Sequence, residues 1–348
     1  MNKKRKKQGL VAAAACLLLL SGIVYYFFFS SFSGQSESKY VYIDNDDTVD
    51  SVMTKLSALG TQHSMTAMKA LVGCSSYAQH VRSGRYEITP GNGAFTVFRH
   101  LKNGMQTPVN LTIRSVRTLD KLSSDLSKKL VLDSAAIYKA LTDEATCQKV
   151  GCDTATIACI FIPNTYDIYW NVSLDKFLER MKKEHDNFWN ADRKAKAKRM
   201  GLTPEQVTTL ASIVDEETAN DAEKPSIAGM YYNRLMLRNA EYPNGMPLQA
   251  DPTIKFAWKQ FDLRRIYNKL LNIKSPYNTY KNTGLPPGPI RIASIAGIDA
   301  VLNYVHHDYL YMCAKEDFSG THNFARTYSE HMANARKYSE ALDRRGIK

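Results

Sequence analysis

The chain has 348 residues and a formal net charge of +12, and 44% of its residues are hydrophobic while 23% are charged. This composition is that of an ordinary globular protein with enough apolar residues for a sizeable core, and the length predicts two or three domains. Five of the positive charges lie in one N-terminal block, Lys3–Lys7, so the rest of the chain carries only a moderate excess. The net charge alone therefore does not indicate a nucleic-acid-binding protein.

The basic block precedes an apolar run of membrane-spanning length. Leu10 to Phe29 carry no charge, and a helix of about 20 residues spans about 30 Å, the thickness of the hydrocarbon core. The alternative is a cleaved signal peptide, but its apolar core is shorter and ends in small residues, whereas this run ends in Tyr25–Phe29. We predict an uncleaved single-pass anchor in the cell (inner) membrane, with a cytoplasmic tail over 1–9, a span over 10–32 and all later residues on the outer side.

Six cysteines are present, and Cys16 lies inside the predicted anchor. Among the other five, Cys147 and Cys152 are close enough in sequence to pair in an oxidising compartment, and buried free thiols are the alternative. Because no two C-x-x-C pairs occur, the sequence argues against a structural zinc site.

The segment after the anchor predicts a tether and a small module. The Ser-rich residues 33–39 are typical of a flexible tether. A strand, two helices and a returning strand are expected next, at Tyr40–Ile43, Thr48–Leu59, Met65–Val72 and Gly84–Ile88. This order resembles that of a LysM module, a small fold that often binds N-acetylated glycans, and the LysM-like module would occupy residues 40–89.

Residues 90–180 predict an α+β region that leads to a connecting helix. Two helices and a strand are expected at Phe95–Lys102, Leu119–Leu126 and Val109–Ile113. Val172–Met200 is charged with apolar residues on one face and predicts a single connecting helix. Its basic part, Arg180–Arg199, is expected to be a solvated face, since an exported protein would meet anionic lipid or polymer rather than nucleic acid. The last domain is expected over 181–348, and the fold class is α+β.

The segment Leu202–Asn220 predicts a helix that carries a carboxylate at the edge of its buried face. Its start signal is Thr203 as N-cap, Pro204 in the first turn and Gln206 three residues after the cap. Apolar residues recur at helical spacing from Val207 to Val214, and the same face continues to Glu217. A carboxyl held against apolar neighbours has a raised pKa and can donate a proton near neutrality. Glu217 is therefore a candidate general acid.

The residues next to Glu217 and the motifs that the sequence lacks limit the reactions that can be expected. Asp215 and Glu216 point away from the buried face and are expected to be solvated. A structural ion pair between Glu217 and an arginine such as Arg234 is the alternative to catalysis. No G-x-S-x-G, H-E-x-x-H or G-x-x-x-x-G-K-[ST] motif occurs. The late histidines are His306, His307, His322 and His331. Their spacing matches no metal-binding motif, so no metal site is predicted.

Further motifs follow in order along most of the exported chain. They are Gly84–Tyr86, Phe161–Tyr166, Ala211–Thr218, Leu248–Thr253, Tyr277–Tyr280, Thr283–Ile290, and His322–Phe324 with His331. From about residue 40 to 340, their order and spacing resemble the YceG-like family of endolytic murein (peptidoglycan) lytic transglycosylases, which has A-S-I-[IV]-E-K-E-T and L-Q-[ST]-D-P-T segments. The chain departs from the family pattern at Asp215 and Glu216, where the family has Glu and Lys, and at Arg291–Ser294.

The resemblance implies cleavage within the glycan strands of peptidoglycan, at the β-1,4 bond from N-acetylmuramic acid to N-acetylglucosamine. The last Glu of the family segment is its catalytic acid, and it matches Glu217. This group would protonate the glycosidic oxygen and then take the proton of the muramyl C6 hydroxyl, giving a 1,6-anhydro end without water. One carboxyl then suffices, whereas hydrolytic glycosidases use two. No metal and no cofactor is implied.

The matched segments also supply expected substrate-binding residues, namely Gln249, Asp251, Tyr277, Asn278 and Tyr280. Aromatic rings stack on sugars, and amides bond to hydroxyl and acetamido groups; the alternative is that Asp251 caps a helix and the tyrosines pack. Two other functions stay open. A hydrolytic muramidase would use Asp215 or Asp251 as a second carboxylate, and a non-catalytic scaffold would bind glycan through the LysM-like module. The resemblance suggests cell-wall synthesis enzymes as partners.

Overall fold

The computed structural model describes residues 3–263 and 265–346, and it confirms an α+β fold with an N-terminal apolar helix. Residues 1, 2, 264, 347 and 348 lie outside the described part, including the first two positions of the predicted cytoplasmic tail and the last two of the predicted final domain. The chain forms two compact units. The first contains the chain up to Leu111 with Lys129–Val131 and Tyr166–Val172, and the second contains Thr112–Lys128, Leu132–Thr165 and the chain from Ser173 on.

The first unit begins with the apolar helix and continues into a two-stranded module. Helix α1 (Lys3–Val24) passes into a π-helical turn, Tyr25–Phe29. The next elements are β1 (Lys39–Ile43), α2 (Val49–Ser57), α3 (Gln62–Gly73), β2 (Gly84–Ile88) and α4 (Ala94–Asn103). The two strands are antiparallel, with Val41 opposite Tyr86. The predicted strand, two helices and returning strand are therefore confirmed to within a few residues.

Local signals explain why the module's helices begin where they do. The side chains of Thr48 and Thr61 accept hydrogen bonds from the backbone N–H groups of Ser51 and Ser64, so each threonine is an N-cap. Both strands alternate buried and outward-facing residues, and the inward side chains join those of the helices in one apolar core. The core also contains Phe32, which precedes the Ser-rich segment and is fully buried.

The N-terminal helix has the properties of a membrane span. Lys6–Phe29 is long and apolar enough to cross a membrane, judged by length and composition. Most of its apolar side chains are exposed, and Leu10 and Leu18 each expose 75% of their surface. A soluble protein would bury such a helix, so this segment is compatible with a single-pass membrane anchor.

The second unit is larger and mostly helical. Its elements before the central helix are α5 (Leu119–Ser127), α6 (Ser134–Leu141), α7 (Glu144–Lys149), α8 (Leu174–Phe188) and α9 (Ala191–Arg199). The later elements are α10 (Pro204–Glu217), α11 (Lys224–Met236), α12 (Asp251–Trp258), α13 (Ile295–Leu302) and α14 (Tyr328–Arg344). Strands β3 (Val109–Ile113) and β4 (Asn164–Ile168) pair with each other. Strands β5 (Tyr311–Ala314) and β6 (His322–Ala325) form an antiparallel pair.

The single connecting helix expected over Val172–Met200 is wrong, because the segment breaks into α8 and α9. The side chain of Trp189 is buried in the core of the second unit, which requires the chain to turn at this point. Asn190 then starts the second helix, since its side-chain oxygen accepts a hydrogen bond from the backbone N–H of Arg193. A tertiary contact and a capping residue thus interrupt a pattern that is helical on both sides.

Helix α10 lies at the centre of the second unit. Every residue from Val207 to Val214 is buried, and α11 and α13 pack against it. All six cysteines lie in the described part of the chain and are free thiols, so the Cys147–Cys152 pair that the spacing allowed is not formed. The core therefore depends on apolar packing around α10 and not on a disulfide.

Candidate active site

Glu217 is the last residue of the buried central helix. The helix starts with the expected capping box, in which Thr203 Oγ1 accepts from Gln206 N at 3.2 Å and Gln206 Oε1 accepts from Thr203 N at 2.9 Å. It ends at Glu217 because Thr218 has an extended backbone. The buried face of α10 therefore leads directly to the Glu217 carboxyl.

The carboxyl of Glu217 is held by a buried tyrosine from the next helix. Tyr231 on α11 donates its hydroxyl to Glu217 Oε1 at 2.5 Å. Burial raises the pKa of Glu217 to about 7, and the Tyr231 hydrogen bond opposes this by stabilising the ionised form. The negative charge of Asp251 adds to the rise, while the charges of Lys255 and Arg234 oppose it. The group can thus be protonated near neutral pH, as a general acid requires.

A cavity of about 320 Å³ opens at this carboxyl. It brings Glu217 together with three of the five residues expected to bind substrate: Gln249, Asp251 and Tyr280. Tyr280 donates its hydroxyl to Asp251 Oδ1 at 2.5 Å. The cavity wall also contains residues from β5, β6 and α14: Tyr311, Met312, Cys313, Ala314, His322, Tyr328 and His331. It therefore combines carboxylates, phenols and an amide, the groups that hydrogen-bond to saccharides.

The backbone at Gln249 is strained, which is typical of a functional position. Gln249 has φ of +50°, a left-handed conformation that costs a residue with a Cβ about 1–3 kcal/mol. Its N–H donates to Thr279 O at 3.0 Å, and the next N–H, of Ala250, donates to Thr279 Oγ1 at 3.0 Å. These bonds join the segment that carries Asp251 to the one that carries Tyr280.

The other two expected substrate-binding residues lie outside this cavity. Asn278 is fully buried, and its Nδ2 donates to Leu271 O and Ile273 O, each at 2.9 Å. Its Oδ1 accepts from the backbone N–H of Tyr280 at 3.0 Å, so it holds the loop in place and has no polar atom left for a sugar. The Tyr277 ring packs against Phe256, with centroids 4.7 Å apart, and lines a separate cavity of about 610 Å³. Gln249, Asp251 and Tyr280 thus line the cavity at Glu217, whereas Tyr277 and Asn278 do not.

The expectation that Asp215 and Glu216 are solvated is wrong. The Asp215 side chain is only 3% exposed, and it pairs with Lys224 Nζ at 2.7 Å. It also accepts from the Ser294 backbone N–H at 2.6 Å and from Ser294 Oγ at 2.7 Å. The Glu216 carboxylate pairs with Arg291 at 2.9 Å and also with Arg117. Asp215 therefore has a structural role and is not free to act on substrate.

These contacts join the two segments in which the chain departs from the family pattern. The departing residues Asp215 and Glu216 on α10 contact the departing residues Ser294 and Arg291 of the segment before α13. A negative Glu216 in place of a lysine is matched by the positive Arg291. Space is matched as well, because a Cβ on Gly297 would come within 2.6 Å of Asp215 Oδ1. The two segments are therefore complementary in charge, and Gly297 leaves room for the Asp215 carboxylate.

Arg234 does not form the structural ion pair that was the alternative role for Glu217. Its guanidinium donates to Leu310 O at 2.5 Å and to Leu248 O at 2.7 Å, so it ties together the two sides of the cavity. Within residues 3–263 and 265–346, the ion pairs leave Glu217 unpaired with any basic side chain, and Tyr231 is its close polar partner. Glu217 therefore keeps its second carboxyl oxygen for other contacts.

Tyr231 was not among the predicted site residues, although the sequence carries a signal for it. Tyr231 follows Ile227 by four residues on the buried face of α11, and a buried phenol usually finds a hydrogen-bond partner. Nothing in the sequence identified Glu217 as that partner. In the described part of the chain, no group of three or more His, Cys, Asp or Glu side chains is placed to hold a metal.

Comparisons with known proteins agree with the motifs. Residues 41–337 match the model of the YceG-like family. An endolytic murein transglycosylase from Bacillus subtilis (strain 168) is 37% identical over 168 residues, which cover 48% of this chain and 44% of that protein. A protein of the same name from Streptococcus pneumoniae serotype 2 (strain D39) is 26% identical over 293 residues, covering 74% of this chain and 51% of that protein.

A solved structure is also similar. The crystal structure of a YceG-like protein from Listeria monocytogenes aligns with a TM-score of 0.53 and 25% identity, covering 86% of this chain and 99% of that one. The chain spans about half the length of the curated relatives that it matches.

Proposed function

The chain belongs to the YceG-like family, and we propose that it is a membrane-anchored lytic transglycosylase that cuts within the glycan strands of peptidoglycan. The observation that carries the proposal is the Glu217 carboxyl, which combines a pKa of about 7 with a position on an open cavity. The names of the relatives, endolytic murein transglycosylases, supply the substrate class and the reaction.

In the proposed mechanism, Glu217 is first an acid and then a base. The protonated carboxyl gives its proton to the oxygen of the β-1,4 bond between N-acetylmuramic acid and N-acetylglucosamine, and the bond to the muramyl C1 breaks. The carboxylate then takes the proton of the muramyl C6 hydroxyl, whose oxygen bonds to C1. The product is a 1,6-anhydro end, and Glu217 recovers its proton, so the cycle consumes no water.

Tyr231 would position the acid. Because its hydroxyl is bonded to Oε1, the other carboxyl oxygen is the one that carries the transferred proton. The same hydrogen bond becomes stronger when Glu217 ionises, which stabilises the carboxylate formed after the first proton transfer. Tyr231 thus opposes the effect of burial and keeps the pKa of Glu217 near neutral pH.

The neighbouring groups would bind the sugar. Asp251 and Tyr280, joined by their hydrogen bond, offer an acceptor and an aromatic face, and Gln249 offers an amide for hydroxyl or acetamido groups. We propose that these three residues contact the glycan on either side of the scissile bond.

A hydrolytic muramidase is the second candidate, because Asp251 lies in the same cavity as Glu217. Such an enzyme uses two carboxyl groups, one of which activates water or traps the sugar. The ion pair of Asp215 with Lys224 favours a structural role for Asp215 over this one. The bond between Tyr280 and Asp251 favours a binding role for Asp251 over a reactive one.

The role of Glu217 is tested by Glu217→Gln in the full-length protein, with purified murein as substrate. Glu205→Gln is the matched control, because it makes the same change on the first turn of the same helix. We expect loss of cleavage for the first variant and wild-type cleavage for the second. Unchanged cleavage by Glu217→Gln would refute its role, and no cleavage by the wild type would favour a glycan-binding scaffold.

The anchor and the module give the proposed enzyme its place. We propose that residues 1–9 are cytoplasmic and that the span expected over 10–32 ends at about Phe29, because Phe32 lies in the module's core. The later residues lie outside, with a LysM-like module at 40–89 and a catalytic domain at 181–348. The strand–helix–helix–strand order with antiparallel strands supports the LysM-like assignment. Partners would be glycan strands and cell-wall synthesis enzymes.

The orientation can be tested through a native thiol. Cys74 is exposed, whereas Cys16 lies in the span. A membrane-impermeant maleimide should label Cys74 in cells whose cytoplasmic membrane is intact. If Cys74 is labelled only after that membrane is broken, the module lies on the cytoplasmic side and the proposed orientation is wrong.

A further inference from the structure

The end of the apolar helix is packed against the module and is not separated from it by a free linker. Phe27 and Phe28 pack against the module's core, and Phe32 lies within that core. The backbone is fixed on both sides: Phe32 N donates to Asn92 O at 2.6 Å, and Phe32 O accepts from Thr61 N at 2.9 Å. Thr61 caps α3, so the chain that leaves the helix is held at the start of α3 and at the turn before α4.

Side chains and a close backbone approach strengthen this junction. The ring of Tyr26 stacks on His63 with centroids 4.3 Å apart, and Ser30 Oγ lies 2.9 Å from His63 Nε2. At Gly93, a Cβ would come within 2.6 Å of both the carbonyl oxygen of Phe28 and the Cα of the following residue. Because these are backbone atoms that cannot rotate away, the junction requires glycine at this position.

The length of the apolar run sets the depth of the junction. The candidate span ends at Phe29, and the apolar run begins only at Leu10, after Gln8 and Gly9. About 20 residues are needed to cross the hydrocarbon core, so the run has no surplus and its last turn, Tyr25–Phe29, stays at the membrane boundary. Helices α3 and α4 pack against this turn and therefore lie at the same depth, among the lipid headgroups.

Helix α4 has a side suited to that environment. Phe95 is 42% exposed, and its ring centroid lies 5.9 Å from that of Phe29, which is 50% exposed. Arg99 and Lys102 follow four and seven residues later on the same side of the helix and are exposed. The aromatic ring beside the span suits the boundary between acyl chains and headgroups of a lipid bilayer. The cations one and two turns further along the helix suit the lipid phosphates.

We propose that Phe95, Arg99 and Lys102, here called the α4 surface, form a lipid-binding surface that seats the module on the membrane. The inference rests on the proposed anchor, since it takes its depth from the span. The ring of Phe95 enters the boundary between acyl chains and headgroups, and the two cations bind lipid phosphates. The height of the module above the bilayer is then set by packing and lipid contact, not by the length of the Ser-rich segment.

The test places a tryptophan at the α4 surface of the full-length protein in vesicles of phosphatidylglycerol and phosphatidylcholine with a doxyl quencher high on the acyl chains. After subtraction of the wild-type emission, the tryptophan added in Phe95→Trp should be strongly quenched, because it lies at the boundary between headgroups and acyl chains. The control is Tyr42→Trp, because Tyr42 is 41% exposed and points to the side of β1 opposite the buried face. Its added tryptophan should be quenched little.

A third variant separates failure of the inference from failure of the anchor. Tyr25→Trp reports on the end of the span itself. Quenching in Tyr25→Trp without quenching in Phe95→Trp would overturn the α4 surface and leave the anchor standing. Absence of quenching in both would overturn the anchor and the inference with it.

The rigid junction has its own matched pair of variants. Gly93→Ala, added to Phe95→Trp, should reduce the quenching because its Cβ collides with the end of the span. Gly91→Ala is the control, since a Cβ at Gly91 meets no atom within 4 Å. Equal quenching in the two variants would contradict the role of the junction.

Discussion

The hydrogen bond from Tyr231 to Glu217 makes a quantitative prediction. Tyr231→Phe removes the donor hydroxyl but keeps the ring and its packing. A hydrogen bond to a charged group contributes about 1.5–3 kcal/mol, and one pKa unit corresponds to about 1.4 kcal/mol. Since the bond stabilises the ionised carboxylate, its loss should raise the pKa of Glu217 from about 7 by about one to two units.

The assay is the pH dependence of kcat/KM for murein cleavage. A general acid must be protonated in the free enzyme, so activity falls as the pH rises through its pKa. The fall should be centred near pH 7 in the wild type and at least about one unit higher in Tyr231→Phe. The maximal rate should decrease, because the carboxyl loses its orientation and becomes a weaker acid.

Tyr232→Phe is the matched control for this shift. Tyr232 lies beside Tyr231 on the same helix, but its hydroxyl donates to Met200 O at 2.9 Å, away from Glu217. Its profile should keep the wild-type midpoint. A midpoint for Tyr231→Phe that is unchanged, or that moves to lower pH, would refute the reasoning.

Three further changes have expected outcomes. Glu217→Gln should be as stable as the wild type near pH 4 but up to about 3 kcal/mol more stable above about pH 8. The reason is the raised pKa of Glu217: as the pH rises from 4.5 through about 7, ionisation of this carboxyl favours the unfolded wild-type chain. Urea denaturation at both pH values checks this, and equal stability at the higher pH would contradict burial of the carboxyl. Lys224→Met leaves Asp215 buried and unpaired and should lower the free energy of unfolding by about 3–5 kcal/mol. The double variant with Asp215→Leu should recover part of that loss in the same measurement, and no recovery would argue against the pair. Tyr280→Phe should raise the KM for murein roughly fivefold, from loss of about 1 kcal/mol, while Tyr277→Phe outside the cavity should not change it; equal effects would contradict the cavity boundary.

The sequence predicted those parts of the fold that depend on local signals. Alternation gave β2 and β3 at their observed bounds, and Thr203, Pro204 and Gln206 gave the start of α10. The break between α8 and α9 was not predictable, because burial of Trp189 depends on residues distant in sequence. The same holds for Phe32, which joins the module's core although its neighbours are serines.

The site was predictable where one helix decides it and not where several segments meet. Helical periodicity placed Glu217 at the edge of the buried face of α10, and the structure shows this residue on the cavity wall. The partners of Asp215 and Glu216 come from α11, from the segment before α13 and from the segment before α5, so periodicity alone wrongly left both carboxylates in solvent. Asn278 looked like a sugar-binding amide, but its hydrogen bonds are to the loop itself.

The central claim is that the substrate's own hydroxyl, and not water, attacks the muramyl carbon after Glu217 protonates the bond. The most direct measurement is mass spectrometry of murein digested by the full-length protein in water enriched in heavy oxygen. We predict 1,6-anhydro ends that carry no heavy oxygen, and no such ends with Glu217→Gln. Reducing ends that carry heavy oxygen would contradict the account and identify a muramidase.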